Sequence, residues 1–308
     1  MLRSVRAALL VVLGGCGFSL STGTSIDATG SDGSGSGSDG DIGADDMTLI
    51  DAPMTDGSSV TTWMPPQVLG FIGAEDPTLT GDMLQIWFEQ NGEIFHASRP
   101  STGVAFGLAE EVVELSPNTS AETTPEVTSD GLTMTFGRLI GNNDIYLSAW
   151  DSSGMTWTAP DDFGAINTTD HDQAAAMSDD RTMVYFTRAP LAGASDIYVS
   201  KRPSPSSAAW SNPSPAIELN SIENDGDVFL SGNKLTVCFA SNRSGSAGVD
   251  IYCATRASAT VPFDAPVRVP DINSPQTDQD PWLSPDGKVM IFWSDRDGTG
   301  KLWYAVRS

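Results

Sequence analysis

Residues 280–298 read Asp-Pro-Trp-Leu-Ser-Pro-Asp-Gly-Lys-Val-Met-Ile-Phe-Trp-Ser-Asp-Arg-Asp-Gly. A short apolar strand runs into a Pro-Asp-Gly turn, a second apolar strand follows, and a polar loop ends it. Phe292 closes the second strand and has counterparts at Phe88, Phe136, Phe186 and Phe239, spaced 48, 50, 53 and 53 residues apart. Six residues before each of these anchors stands Asp82, Asp130, Asp180, Asn233 or Asp286. Such side chains bond the local backbone and tolerate a tight turn. A polar-apolar-aromatic triplet follows each anchor: Glu93-Ile94-Phe95, Asp144-Ile145-Tyr146, Asp196-Ile197-Tyr198, Asp250-Ile251-Tyr252 and Lys301-Leu302-Trp303. These are strand formers, and the Asn, Gly, Ser and Asp residues between anchor and triplet suit hairpin loops.

A further signature closes each unit, an aromatic with a small residue or proline three positions on: Phe106 and Ala109, Trp157 and Pro160, Trp210 and Pro213, Phe263 and Pro266. A short apolar strand follows it. Each unit therefore carries four short strands, the blade of a β-propeller. The fifth unit reaches Ser308 just after its third strand, and Trp63-Met64-Pro65-Pro66-Gln67-Val68-Leu69 repeats the fourth-strand signature at the other end. The reading is an all-β, five-bladed β-propeller of four-stranded blades, its ring closed by an N-terminal strand joining the last blade. Closure hides the edges that would invite aggregation. Ala174-Ala175-Ala176-Met177 has helical propensity, but the repeat phase places it on the first strand of the third unit.

The 280–298 segment closely resembles the WD40-like repeat of TolB-type propellers. Thr128-Ser129-Asp130-Gly131 keeps its turn and Ser241-Asn242-Arg243-Ser244-Gly245 keeps its hairpin. The resemblance covers residues 63–308 and implies the fold. It implies no single function, because propellers of this type occur in periplasmic scaffolds, peptidase accessory domains and polysaccharide-degrading enzymes. The sequence departs from TolB in leaving no room for its amino-terminal α/β domain and in having fewer blades.

Ahead of the propeller, residues 1–16 read MLRSVRAALLVVLGGC. Arg3 and Arg6 precede an apolar run from Ala7 to Leu13, the pattern of a secretory signal. Leu13-Gly14-Gly15-Cys16 resembles the bacterial lipobox, which implies cleavage before Cys16 and lipidation of its thiol; an ordinary signal with an incidental cysteine is the alternative. Gly17 in place of an aspartate points to the outer membrane. Residues 17–62 are rich in Ser, Gly and Asp and cannot bury enough surface to order themselves. They read as a tether with an end-to-end distance of roughly 35–40 Å. The expectation is an exported, monomeric lipoprotein of the cell envelope, touching the membrane only through its lipid.

The formal net charge of −24, from 40 acids against 16 bases, makes nucleic acid a poor partner. An envelope protein or a polysaccharide remains open. Fourteen residues before the anchor, four units carry an acid: Glu122, Asp172, Asp225 and Asp278. Two positions on, Asp76, Asp227 and Asp280 add three more. All seven are expected at one mouth of the channel as candidates for a ligand or a cation such as Ca²⁺, with capping of loop backbone as the structural alternative. No cofactor is required by the sequence. His171, in Asp170-His171-Asp172, is a candidate additional metal ligand. The carboxylates raise a carbohydrate-active enzyme, of hydrolase or lyase type, as the alternative to a non-enzymatic binding or scaffold module. A hydrolase needs two carboxyls in unlike states, which a near-symmetric ring does not supply, and no catalytic residue is assigned. Cys238 and Cys253 lie on neighbouring strands of the fourth unit, either as a disulfide or as two buried thiols.

Overall fold

The structure, a computed structural model, describes residues 62–116 and 120–308. The signal, Cys16 and the tether up to residue 61 lie outside the described residues. The chain forms five antiparallel sheets and no helix among the described residues. The innermost strands are Glu75–Leu79, Glu122–Val127, His171–Met177, Asp225–Leu230 and Asp278–Leu283, one for each of blades 1 to 5. They adjoin one another in a closed circle, blade 5 against blade 1 included. Second strands run over Gln85–Gln90, Thr133–Ile140, Met183–Ala189, Thr236–Ser241 and Val289–Ser294. The third are Glu93–Ser98, Asn142–Asp151, Asp196–Lys201, Asp250–Thr255 and Lys301–Val306. Outermost strands are only two residues long in blades 1 to 4. Blade 5 is completed by Gln67–Ile72, which pairs antiparallel with Lys301–Val306. The displaced fourth strand thus closes the ring as its sequence signature predicts.

The repeated residues explain why the same sheet forms five times. In every blade a hydroxyl on the turn entering the hairpin, from Thr80, Thr128, Ser178, Ser231 or Ser284, donates to the Asp or Asn two residues on. The same hydroxyl oxygen accepts the backbone N–H that begins the second strand. The anchors Phe88, Phe136, Phe186, Phe239 and Phe292 are all fully buried. Core layers form between neighbouring sheets: Phe136 packs with Trp87, Ile94 and Trp157 between blades 1 and 2, and Phe239 with Tyr185 and Ile197 between blades 3 and 4. Cys238 and Cys253 face each other in register and are joined by a disulfide within blade 4.

Each inner strand carries one irregularity at the same place. In blade 1, Glu75 pairs with Glu89 and Thr78 with Trp87, so three steps on the inner strand match two on its partner. The other four blades share this shift. It is a β-bulge of one extra residue. The residue twelve before the anchor takes up the bulge in a left-handed conformation: Asp76, Thr124, Ala174, Asp227 and Asp280, with φ of 50°, 48°, 48°, 49° and 53°. Proline follows it at Pro77, Pro125 and Pro281, where a bulge leaves an N–H without a ladder partner and proline has none to orphan.

Closure rests on a visible joint. Trp63 is buried, and the Arg307 guanidinium lies 4.6 Å over its ring. Blades 1, 3 and 4 repeat this with Arg99 on Phe106, Arg202 on Trp210 and Arg256 on Phe263. Trp63→Ala is expected to cost about 3–5 kcal/mol of stability, the usual loss for a buried tryptophan. In hydrogen exchange the variant should lose amide protection first in Gln67–Ile72 and Lys301–Val306, and uniform loss around the ring would contradict a role in closure.

Candidate functional site

The seven acids singled out from the sequence divide into two sets with different surroundings. Glu122, Asp172, Asp225 and Asp278, at the head of the inner strands, each meet an arginine from the second strand or the hairpin after it. The pairs are Arg138–Glu122 at 2.8 Å, Arg188–Asp172 at 2.7 Å, Arg243–Asp225 at 2.5 Å and Arg296–Asp278 at 2.6 Å. Each arginine also donates to a loop carbonyl, of Leu115, Ile166, Leu219 or Ile272. Its guanidinium lies over the anchor phenylalanine at 4.8–5.4 Å. The free oxygens of Asp172, Asp225 and Asp278 accept the backbone N–H of Thr168, Ser221 and Ser274. These carboxylates pin the incoming loop to the blade.

Blade 1 replaces the whole device. Ala74 stands where the acid would be and Gln90 where the arginine would be, and the Phe71 ring sits 4.7 Å from Phe88 in place of a guanidinium. This covariation within the chain is a signal that the sequence already carried. An acid fourteen residues before the anchor comes with an arginine two or four residues after it, and the two disappear together.

The second set, Asp76, Asp227 and Asp280, occupies the left-handed bulge position on three consecutive blades around the ring. An oxygen of each lies within 4.8 Å of the others. All three are buried. Bulge residues also bond from blade to blade: the Asp76 N–H donates to Asp280 Oδ2 at 3.3 Å and the Ala174 N–H to Thr124 Oγ1 at 3.0 Å. Between them is a cavity of about 10 Å³, counted as space for the centre of a water molecule, lined by these three aspartates with Thr124, Ala174 and Glu126. Such a volume holds about one water or one ion. Toward the opposite mouth the channel becomes apolar, with Leu79, Val127, Met177, Phe229 and Trp282 around a second small cavity.

The axis is electrostatically hostile to anions. Burial, then the Asp280 and Asp227 charges, push Asp76 well above the usual carboxylate range. Burial pushes Asp280 up to about 6 against hydrogen bonds from Gln279 and the Asp76 backbone. Glu126 is raised well by burial despite a bond from Thr78 Oγ1. Glu75 is driven up to about 7 by burial, with Asp280 and Glu89 adding repulsion. Burial also raises Glu89. Glu75, Glu89 and Glu126 were not singled out from the sequence. They lie on either side of the bulge, where only the folded ring brings them near the axis.

His171 sits beside the pinned set, its Nδ1 accepting the Asn143 N–H at 3.0 Å, and it is not part of the aspartate cluster. Asp295-Arg296-Asp297-Gly298 forms a turn, with Gly298 at φ 88°.

No family model matches the chain. No curated protein matches it either. Among solved structures it is similar to a thermostable family-43 glycoside hydrolase, at 15% identity and a TM-score of 0.58, covering 80% of this chain and 92% of that one. The catalytic domain of the GH62 α-L-arabinofuranosidase of Coprinopsis cinerea matches at 14% identity and 0.54, covering 80% and 97%. A TolB of Agrobacterium tumefaciens matches at 17% identity and 0.48, covering 72% and 70%. At these identities the likeness is one of fold.

Two outcomes follow from the two sets. Glu122→Ala leaves the buried Arg138 charge without its partner and is expected to cost about 3–5 kcal/mol in a denaturant titration. The second concerns pH. The raised carboxyls bind protons more tightly folded than unfolded, so between about pH 4.5 and 7 the native state holds more protons. Stability of the chelator-treated protein should therefore fall as pH rises through that window. His96, pushed down by burial, opposes this with one group against the several raised carboxyls. Below pH 4 the trend reverses, because Asp180, held at about 2 by Lys234 and Thr182 bonds that outweigh its burial, loses its contribution. Melting temperatures in chelator at pH 4.5, 6 and 7.5 check the sign.

Proposed function

We propose that the chain is a lipid-anchored propeller of the cell envelope acting as a non-enzymatic binding or scaffold module for a protein or glycan partner. Export and anchoring rest on the Arg3–Leu13 signal pattern and on Cys16. The observation that carries the binding reading is the state of the acids. Four are engaged by arginines, and the axial three enclose a cavity with room for about one water. Hydrolysis of a glycosidic bond needs two carboxyls flanking a sugar in an open cleft, whereas the space between the axial carboxyls admits about one water. Recognition is then left to the surface of the ring. The hairpins between second and third strands and the loops entering the inner strands share one face, tied by Asn142 to Asp170, Ser195 to Asn224 and Thr277 to Asp295. Ile140 and Leu191 from these hairpins, and Ile72 and Ile222 from these loops, are exposed there, apolar contacts of the kind that mark docking surfaces.

The second reading is a carbohydrate-active enzyme, favoured by the unlike surroundings of the axial carboxyls and by a fold shared with glycoside hydrolases. A panel of envelope and plant polysaccharides separates the two. The full chain is expected to release no sugar, while cross-linking in envelope extracts yields a partner whose capture drops at least tenfold for Leu191→Asp combined with Ile222→Asp. Hydrolysis abolished by Asp76→Asn would establish the enzyme instead.

A further inference from the structure

We propose that Asp76, Asp227 and Asp280 form a binding site for one divalent cation of the size and hardness of Ca²⁺ on the propeller axis. Asp280 Oδ1 carries the inference. It is buried against the axial cavity, where no amide, hydroxyl or basic donor reaches it and its neighbours are the carboxyls of Asp76 and Asp227, and leaving such an atom without a donor is costly. Oδ2 of the same residue is used, accepting from the Asp76 N–H and Gln279 Nε2, so the carboxylate is held in place while its other oxygen waits for a ligand. No basic side chain lines the cavity, in contrast to every carboxylate of the arginine-paired set.

The dimensions agree with the chemistry. Two oxygens bound to one Ca²⁺ at 2.3–2.6 Å lie at most about 5 Å apart, and the three carboxylates bring an oxygen each to within 4.8 Å of the others. Mg²⁺ demands near-ideal octahedral geometry at 2.0–2.1 Å and dehydrates reluctantly, so three carboxylates around room for about one water favour the larger ion. Glu126 lines the same cavity and offers a fourth carboxylate. Hard oxygen donors without His or Cys argue against zinc or copper. A cation here would tie blades 4, 5 and 1 together, the three blades on either side of the joint where the chain ends meet. The site is independent of the binding-module reading, since an ion can hold the axis of a scaffold or of an enzyme.

The test uses the full chain stripped with chelator and titrated with CaCl₂ at pH 7.5, by calorimetry and by thermal melting. One equivalent is expected to bind. At a hundred times the dissociation constant the melting temperature should rise by roughly 5–10 °C, with a clearly smaller response to Mg²⁺. Asp280→Asn removes a repelling charge but keeps the shape, so without metal it should melt no lower than the parent protein, and it should lose the Ca²⁺ shift. Asp227→Asn supplies the same comparison at a second ligand should the first variant fold poorly. Absence of both heat and shift with Ca²⁺ in the parent protein would overturn the site. An undiminished Ca²⁺ response in both variants would equally do so, by moving the ion elsewhere. Loss of sugar release or of partner capture would bear on the function and leave this result untouched.

Discussion

The antiparallel pairing of Gln67–Ile72 with Lys301–Val306 is the contact on which the rest of the molecule depends. It joins residues as far apart in sequence as Gln67 and Tyr304, whose hydroxyl donates to Gln67 Oε1 across a separation of 237. Closing so long a loop is entropically costly, though the cost grows only slowly with length. It is offset by burying Trp63 beneath Arg307 and Leu69 within the layer shared by blades 4, 5 and 1. Only with the ring closed do Asp280 and Asp76, at opposite ends of the propeller sequence, become neighbours. The axial cluster is therefore a property of the closed ring and of no single blade.

The two sets of acids show how a shift of two positions changes the role of a carboxylate. At the head of the inner strand an arginine is within reach, and in Asp172, Asp225 and Asp278 a loop N–H completes hydrogen bonding to both oxygens. Two residues on, past the point where the ladder slips, the side chain faces the axis and meets other carboxylates. Buried like charges of this kind survive by taking up protons or by sharing a cation. Burial and mutual repulsion raise these carboxyls above their ordinary range, so protons and a metal ion would compete for the axial oxygens.

Blade number, strand order and the closing strand were legible in the sequence because each rests on a spacing that recurs at 48 to 53 residues, whereas the Cys238–Cys253 pairing needed the register that the structure supplies. The bulge was not legible either. A strand of strict alternation puts residues fourteen and twelve before the anchor on one face, and both flank a wall where nearly every position is buried, so no polar-apolar pattern betrays the extra residue. Hence Asp225 and Asp227 read alike, although one faces Arg243 and the other the axis. The arginines were visible as residues but not as partners, since two stand at the end of the second strand and two in the hairpin beyond it. Glu126 was hidden for another reason: its equivalents in the other blades are Thr78, Ala176, Phe229 and Trp282, so no repeat argument picks it out.

The choice of residue at the bulge bears on what the axis is for. A left-handed backbone costs a non-glycine residue roughly 1–2 kcal/mol, and none of the five bulge positions is glycine. Glycine would remove the strain, and asparagine, which tolerates this conformation as aspartate does, would remove the repulsion. Blades 2 and 3 show that charge is dispensable for the geometry, since Thr124 and Ala174 adopt the same φ within a few degrees. The fold therefore asks for a bulge but not for an aspartate. Three adjacent blades nevertheless place a carboxylate there, at a cost in both strain and electrostatics, around a space the size of one ion. Local violations of this sort are expected where a site is being built, and a divalent cation is the ligand that would turn the repulsion among the three into a bond between their blades.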